Sequence, residues 1–417
     1  MISNKLLFFF LFTTLVLSGS GVYGQNNTSS PYSMFGLGLI EPKGNVNSAG
    51  MGYAGVALSN SRYLNTMNPA SYVELDSTTF YFNIQGACAL NEYTTTNKTQ
   101  RNFDANINAV SMGFKLKKWW GTSIGFVPYS SVGYSIESAK YIIGTNDKYK
   151  VIYEGSGGLS QFYLGNGFRL FKGLYMGINM SLIWGSTSMT EVSSFETIMG
   201  ETITNQRSYY INNLLFEYGF QYHQPIEKNT LSLGAVVNME TPLYAHYNQT
   251  IETSGDLNYY QGHSDADDLL IPFSYSAGFA YQTNKWTLAA DYRYGNWESL
   301  DNMSVKYGEL KNSQGINAGI EFAPNKNSFK SIFNRIRYRM GVYYSDSYLS
   351  LKGIDINERG VTAGISIPIK RRKNALNLSY EYKETGTHAN GLIKEKYHII
   401  KIGLSFNENW FRKTKFQ

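Results

Sequence analysis

The chain has 417 residues, of which 42% are hydrophobic, 15% aromatic and 16% charged, with a formal net charge of +6. Beyond the N-terminus no uninterrupted apolar run reaches the ~18 residues of a spanning helix, which argues against a helical membrane protein. The positive residues are scattered over turns and form no stripe, which argues against nucleic acid as a partner.

Residues 1–24 read as a secretory signal peptide. Lys5 supplies the positive charge, Leu6 to Leu17 the apolar stretch, and Gly-Val-Tyr-Gly before Gln25 a small-residue cleavage site. Residues 25–77 are rich in Gly, Ser and Asn and lack long alternation. They contain SPYSMFGLGLI (30–40), AGMGYAGVAL (49–58) and NTMNPASY (65–72). The composition suits a compact hatch that plugs a barrel; a flexible periplasmic tail is the other reading.

From residue 78 to the C-terminus the pattern changes to long alternating runs. The reference stretch is 173–186, where Leu174, Met176, Ile178, Met180, Leu182 and Trp184 fall on one side, and Tyr175, Gly177, Asn179 and Ser181 on the other. Successive strand side chains point to opposite faces, so one face meets lipid and the other lines an interior. The run is about twice an ordinary soluble strand and long enough for a tilted strand to cross a bilayer. Fourteen such runs can be counted: 78–90, 105–116, 121–136, 151–170, 173–186, 208–223, 229–244, 269–282, 285–299, 312–323, 335–349, 357–369, 374–386 and 395–407. The 34 Tyr, 24 Phe and 40 Gly against only 9 Pro suit long strands with small inward residues and aromatic belts. Connections after even-numbered runs are mostly short, and those after odd-numbered runs, such as 187–207 and 245–268, are longer. That parity predicts an antiparallel transmembrane β-barrel of fourteen strands with both ends in the periplasm. The long turn 324–334 is the exception.

Pro128, within Gly125–Gly133, cannot donate a ladder hydrogen bond, so the third strand is expected to bulge or kink there, unless Pro128 lies at its rim. Inward charges at Glu217, Asp291 and Arg293 are expected to pair across the lumen. No catalytic constellation emerges, so an enzyme is not expected. The five His have no metal-ligand spacing, and the lone Cys88 builds no cysteine site. Asp265–Asp268 reads as a solvated loop cluster more than a cation site. Neither metal nor cofactor is expected.

Several of these stretches together carry a resemblance. AGMGYAGVAL with Asn68-Pro69-Ala70, the step GFVPY around Pro128, GSGGLSQFYLGNGFRL (155–170), GLYMGINMSLIWG (173–185), IPFSYSAGFAYQTNKWTLAADYRYGNW (271–297) and the tail IGLSFNENWFRK (402–413) resemble, in order and spacing, the FadL-type outer-membrane transporters of long-chain fatty acids and other hydrophobic compounds, in their Bacteroidota form. The resemblance implies a hatch carrying Gly50, Gly52, Gly55, Asn68, Pro69 and Ala70. It also implies a kinked third strand at Gly125, Pro128 and Gly133 that opens the wall sideways. An apolar ligand leaving that way keeps ~0.8 kcal/mol per CH₂ that water would cost it. Two functions follow as expectations. The first is passive transport of a hydrophobic compound in contact with outer-membrane lipid. The second is a non-transporting accessory barrel of an outer-membrane complex, in type IX secretion or in barrel or surface-protein assembly. It would bind partners through loops bearing Tyr244, Tyr247, Tyr259 and Tyr260.

Overall fold

The computed structural model describes residues 28–195, 200–254, 260–266, 269–300, 308–324, 333–369 and 374–409. The expected signal peptide and the end of the C-terminal tail lie outside them.

Fourteen long antiparallel strands close into a barrel. They are β1 (Thr79–Thr94), β2 (Thr99–Lys117), β3 (Trp120–Tyr141), β4 (Lys148–Phe171), β5 (Leu174–Ser194), β6 (Thr202–Ile226) and β7 (Asn229–Asn238). The second half comprises β8 (Ser274–Gln282), β9 (Trp286–Gly295), β10 (Ser313–Phe322), β11 (Arg337–Leu351), β12 (Ile354–Pro368), β13 (Ala375–Thr385) and β14 (Lys394–Asn409). Neighbours in sequence pair with one another, and β1 pairs with β14, from Thr79 opposite Asn409 to Thr94 opposite Lys394. Each run read from the sequence corresponds to one strand.

Alternation sets the two faces. In β5, Met180, Leu182 and Trp184 are exposed on the outside, while Asn179, Ser181 and Ile183 are buried inside. The outward apolar residues of all the strands form the lipid-facing band. On one rim the strands join through short turns, Lys118–Trp119, Lys172–Gly173 and Glu227–Lys228.

The opposite rim differs from the expectation of long loops. Residues 187–207 are mostly strand, since β5 runs to Ser194 and β6 starts at Thr202. Within 245–268, Ala245–Thr253 pairs with β6, and Tyr260–Ala266 pairs with Ala245–Thr253. Lys352–Gly353 on this rim is as tight as the turns of the opposite one. Apolar alternation stops where lipid stops, but backbone pairing does not require it, so Thr-, Ser- and Tyr-rich sequence continues the ladders into water. β4 has 24 residues, against about 9–11 needed to cross a bilayer. Strands β3 to β6 and the added hairpin therefore stand above the membrane as a projecting sheet. Most of the exceptional 324–334 turn lies outside the described residues.

Candidate functional site

The N-terminal segment from Thr28 to Leu75 runs through the barrel interior. Its helix, Val46–Ala49, starts at Asn45, whose side chain accepts from Asn47 and Ser48 in a capping box. A 3-10 helix, Pro69–Glu74, starts at Asn68 in the same manner, with Pro69 at its first position, where a missing N–H costs nothing. Tyr72, Leu64, Ala54 and Ala70 are fully buried.

A girdle of barrel glycines surrounds this segment. Every strand except β1, β9 and β13 carries an inward glycine whose Cβ would meet it, and β4 carries two, Gly165 and Gly167. A Cβ at Gly121 would stand 2.0 Å from Tyr72 O, at Gly177 2.3 Å from Pro69 C, at Gly234 2.5 Å from Val56 O, and at Gly319 2.3 Å from Met51 O. Gly121, Gly167, Gly177 and Gly219 lie opposite one another across four successive strands. Only glycine leaves room for backbone to lie on backbone at this level. The sequence reading missed this girdle, although its signal repeats: MGF (112–114), NGF (166–168), MGI (176–178), YGF (218–220), AGF (277–279), MGV (340–342) and IGL (402–404).

The residues expected in a hatch all lie within this girdle. Gly50 faces Gly364. Gly52, at φ +63°, donates its N–H to Thr362 Oγ1 at 2.9 Å and accepts from Asn317 Nδ2 at 2.6 Å. Gly55 donates to Asp291 Oδ2 at 2.7 Å, and Val56 to the same oxygen at 3.0 Å. Asn68 Nδ2 donates to the carbonyls of Val56 (2.9 Å) and Phe220 (3.0 Å). Ala70 packs on Gly177 beside Pro69.

Charges do not pair across the lumen as expected. Glu217 is ion-paired with Lys43 of the N-terminal segment, Asp291 receives the two backbone N–H groups above, and Arg293 donates to Tyr53 O. Tyr53 OH donates to Glu381 at 2.6 Å and accepts from Lys401 at 2.6 Å. Ser30 Oγ donates to Glu395 at 2.7 Å. Burial, reinforced by Glu381, pushes the Tyr53 phenol well above its ordinary value. The partners of these wall charges are largely the plugging segment, whose N–H and carbonyl groups the wall cannot otherwise satisfy.

Among the described residues the wall parts between β2 and β3. Pairing of β2 with β3 ends at Val110 opposite Phe126. Above it, among the described residues, β2 pairs only with β1, and β3 with β4 and with Leu39–Ile40 of the N-terminal segment. The register slips at Tyr129, one residue after Pro128, and on β2 at Asn108. Gly125 stands below the slip, where a Cβ would meet the Tyr163 ring at 2.6 Å. Ser130 to Tyr134 are all buried, which ends the in–out alternation. The N-terminal segment covers this stretch of β3: Leu39 pairs with Ser131, Ile40 with Ser130, and Gly133 N donates to Ser33 Oγ at 3.0 Å. A cavity of about 520 Å³ lies behind the opening, lined by Leu39, Ile40, Val127 and Tyr129 but also by Glu41, Lys43, Glu217, Glu381, Lys383 and Lys401.

Of the four tyrosines expected on loops, the side chains of Tyr244 and Tyr247 lie among the described residues. Tyr244 is 74% exposed, whereas Tyr247 lies 5.1 Å from the Tyr209 ring. Tyr260 opens a strand, and Tyr259 and Asp267–Asp268 lie outside the described residues. Among the described residues no group of three His, Cys, Asp or Glu gathers as metal ligands.

The fold defines a transmembrane β-barrel of the bacterial outer-membrane kind. A family model, BamG, matches residues 1–417. The chain belongs to the BamG family. No curated protein sequence matches it. Among solved structures it is similar to the CymD monoaromatic hydrocarbon channel, with 12% identity and a TM-score of 0.58 over 91% of this chain and 100% of that one. The Ralstonia pickettii toluene transporter TbuX gives 12% and 0.57 over 89% and 99%. A Pseudomonas aeruginosa FadL homologue gives 11% and 0.57 over 88% and 99%. At such identity the likeness is one of fold.

Proposed function

We propose that this chain is an accessory barrel of an outer-membrane protein complex, working through protein partners, and not a conduit for solute. In this reading residues 1–24 are removed on export, residues 25–77 are a permanently seated plug, and residues 78–417 are the barrel. The observation that carries it is the docking of the segment against the glycine girdle, backbone on backbone, with charges locked onto it from the wall. Glu41, Lys43, Glu217, Glu381, Lys383 and Lys401 around the remaining cavity suit an apolar passenger poorly, because charged walls cost it desolvation without return. The projecting sheet, with Tyr244 exposed, offers area for a partner outside the membrane. The family match, which is to BamG and not to a transporter family, supports the same reading.

The opening between β2 and β3 favours a second reading, lateral passage of a hydrophobic compound; CymD is a monoaromatic hydrocarbon channel and TbuX a toluene transporter. Native mass spectrometry of the protein extracted from its own membrane separates the two. A stoichiometric protein partner on an otherwise empty barrel is expected. A lone barrel carrying an apolar ligand that is lost on Pro128→Ala would replace the first reading with the second.

A further inference from the structure

The opening in the wall has an unusual composition. On one side, among the described residues, no strand pairs with β2 over residues 99–105 on the edge facing β3. That edge lies at the level of lipid: Phe103 is 61% exposed and Ile107 74% exposed. The polar boundary comes one turn of pleat higher, at the ion pair of Arg101 with Glu92. In hydrocarbon each backbone N–H or C=O without a partner costs several kcal/mol, which is why open sheet edges are absent from lipid-exposed walls. On the other side, the edge of β3 already carries a strand, since Leu39 and Ile40 pair with Ser131 and Ser130, and Glu41 N donates to Tyr129 O at 3.0 Å. The chain thus covers part of one of the two facing edges with its own backbone, and among the described residues no backbone pairs with the other.

We propose that the seam is a strand-acceptor site, which takes one extended polypeptide strand from a partner outer-membrane protein onto the β2 edge. The inference rests on the partner-binding reading above. Edge chemistry selects the occupant. An acyl chain or a small hydrocarbon supplies no donors or acceptors to N–H and C=O groups, whereas an added strand supplies both at every second residue. The surroundings select its side chains. One face of the guest would meet lipid beside Phe103, and the other the polar residues behind the seam, Ser29 and Asp104, which are 3.0 Å apart. A strand of alternating apolar and small polar residues fits both, and that is the pattern of an outer-membrane barrel strand.

Photo-crosslinking in native membranes tests this. A photoreactive amino acid replaces Phe103 or Ala105 at the seam, or Met340 on the lipid-facing wall of β11. The expected result is crosslinks, at the two seam positions only, to a single polypeptide segment in which the crosslinked residues alternate. Asp104→Pro and Ala105→Pro provide the second arm. Successive strand N–H groups point to opposite neighbours, so one proline removes a seam-facing donor and the other a donor to β1. One of the two should lower the seam crosslink at least tenfold from Phe103, with the folded band on an unheated gel retained. Crosslinks to lipid alone, to residues without alternation, or equally strong at Met340 would overturn the proposal, and the mapping decides this even where neither proline variant folds. A stoichiometric partner together with lipid-only crosslinks at the seam would leave the accessory reading standing and remove the strand-acceptor site. Absence of any partner would remove both.

Discussion

A Cβ on Gly341 would stand 2.2 Å from the backbone nitrogen of Gly52, closer than any side chain can come to a main chain. The barrel wall and the N-terminal segment therefore meet there without a side chain between them. Replacing Gly341 with Leu is expected to overpack the girdle and cost about 1–3 kcal/mol. The check is a lower thermal midpoint together with trypsin cleavage inside residues 28–77. Unchanged protection of that segment would show that it tolerates displacement from β11.

Asp291 is almost fully buried and accepts from both Gly55 and Val56. Asp291→Ala leaves two buried N–H groups without an acceptor, at about 1–3 kcal/mol each. Amide exchange at Gly55 and Val56 should rise by more than tenfold while exchange in β9 changes little. Equal rises in both would mean that the substitution unfolds the wall and not the docking.

If the segment is a seated plug, the full chain should pass negligible ionic current in a planar bilayer. A steady current through the intact protein would contradict axial closure.

The tyrosines of the segment give a pH dependence. Burial raises the phenols of Tyr32, Tyr53 and Tyr72, with Glu395, Glu381 and Tyr163, respectively, adding to it. A raised phenol keeps its proton in the folded state and loses it on unfolding near the ordinary value of about 10. The stabilisation is complete below that pH and is lost as pH rises beyond it. Thermal midpoints should hold to about pH 10 and fall above, with tyrosinate absorbance rising at the unfolding step and not before. Tyr53→Phe should flatten the fall. Early titration of these phenols in the folded protein would refute the buried assignment.

The strands were legible because period-two alternation survives in single residues: Leu174 to Trp184 outward, Tyr175 to Ser181 inward. Their upper ends were not, because β5 and β6 leave lipid before they stop pairing, and Thr-, Ser- and Tyr-rich ladders in water look like loops. Asn68, Pro69 and the glycines at 50, 52 and 55 stood out as a Gly- and Asn-rich block. The partners of Gly52 and Gly55, Asp291, Thr362 and Asn317, lie about 240–310 positions away, and separation of that order leaves no local signature. The charges at Glu217, Asp291 and Arg293 were recognisable as inward, but residue types alone suggested that they pair with one another. Backbone groups of the inserted segment take two of those places. The end of the β2–β3 pairing at Val110 had no sequence signal at all, since where two strands part is a property of the closed wall.

The bond from Ser30 to Glu395 joins residues 365 positions apart. One belongs to the first described residues of the chain and the other to its last strand. A segment enclosed on nearly every side cannot be threaded cheaply into a finished cylinder whose wall leaves it no clearance. The order of events that fits is one in which residues 28–75 wait while successive hairpins curl around them, and β14 closes against β1 last. The early part of the polypeptide would then serve as the mandrel on which the later part is wound. Contacts of such separation fold slowly, so the interval before closure is long, and during it the unsealed edges of β1 and β14 are exposed to whatever else is being built in the same membrane.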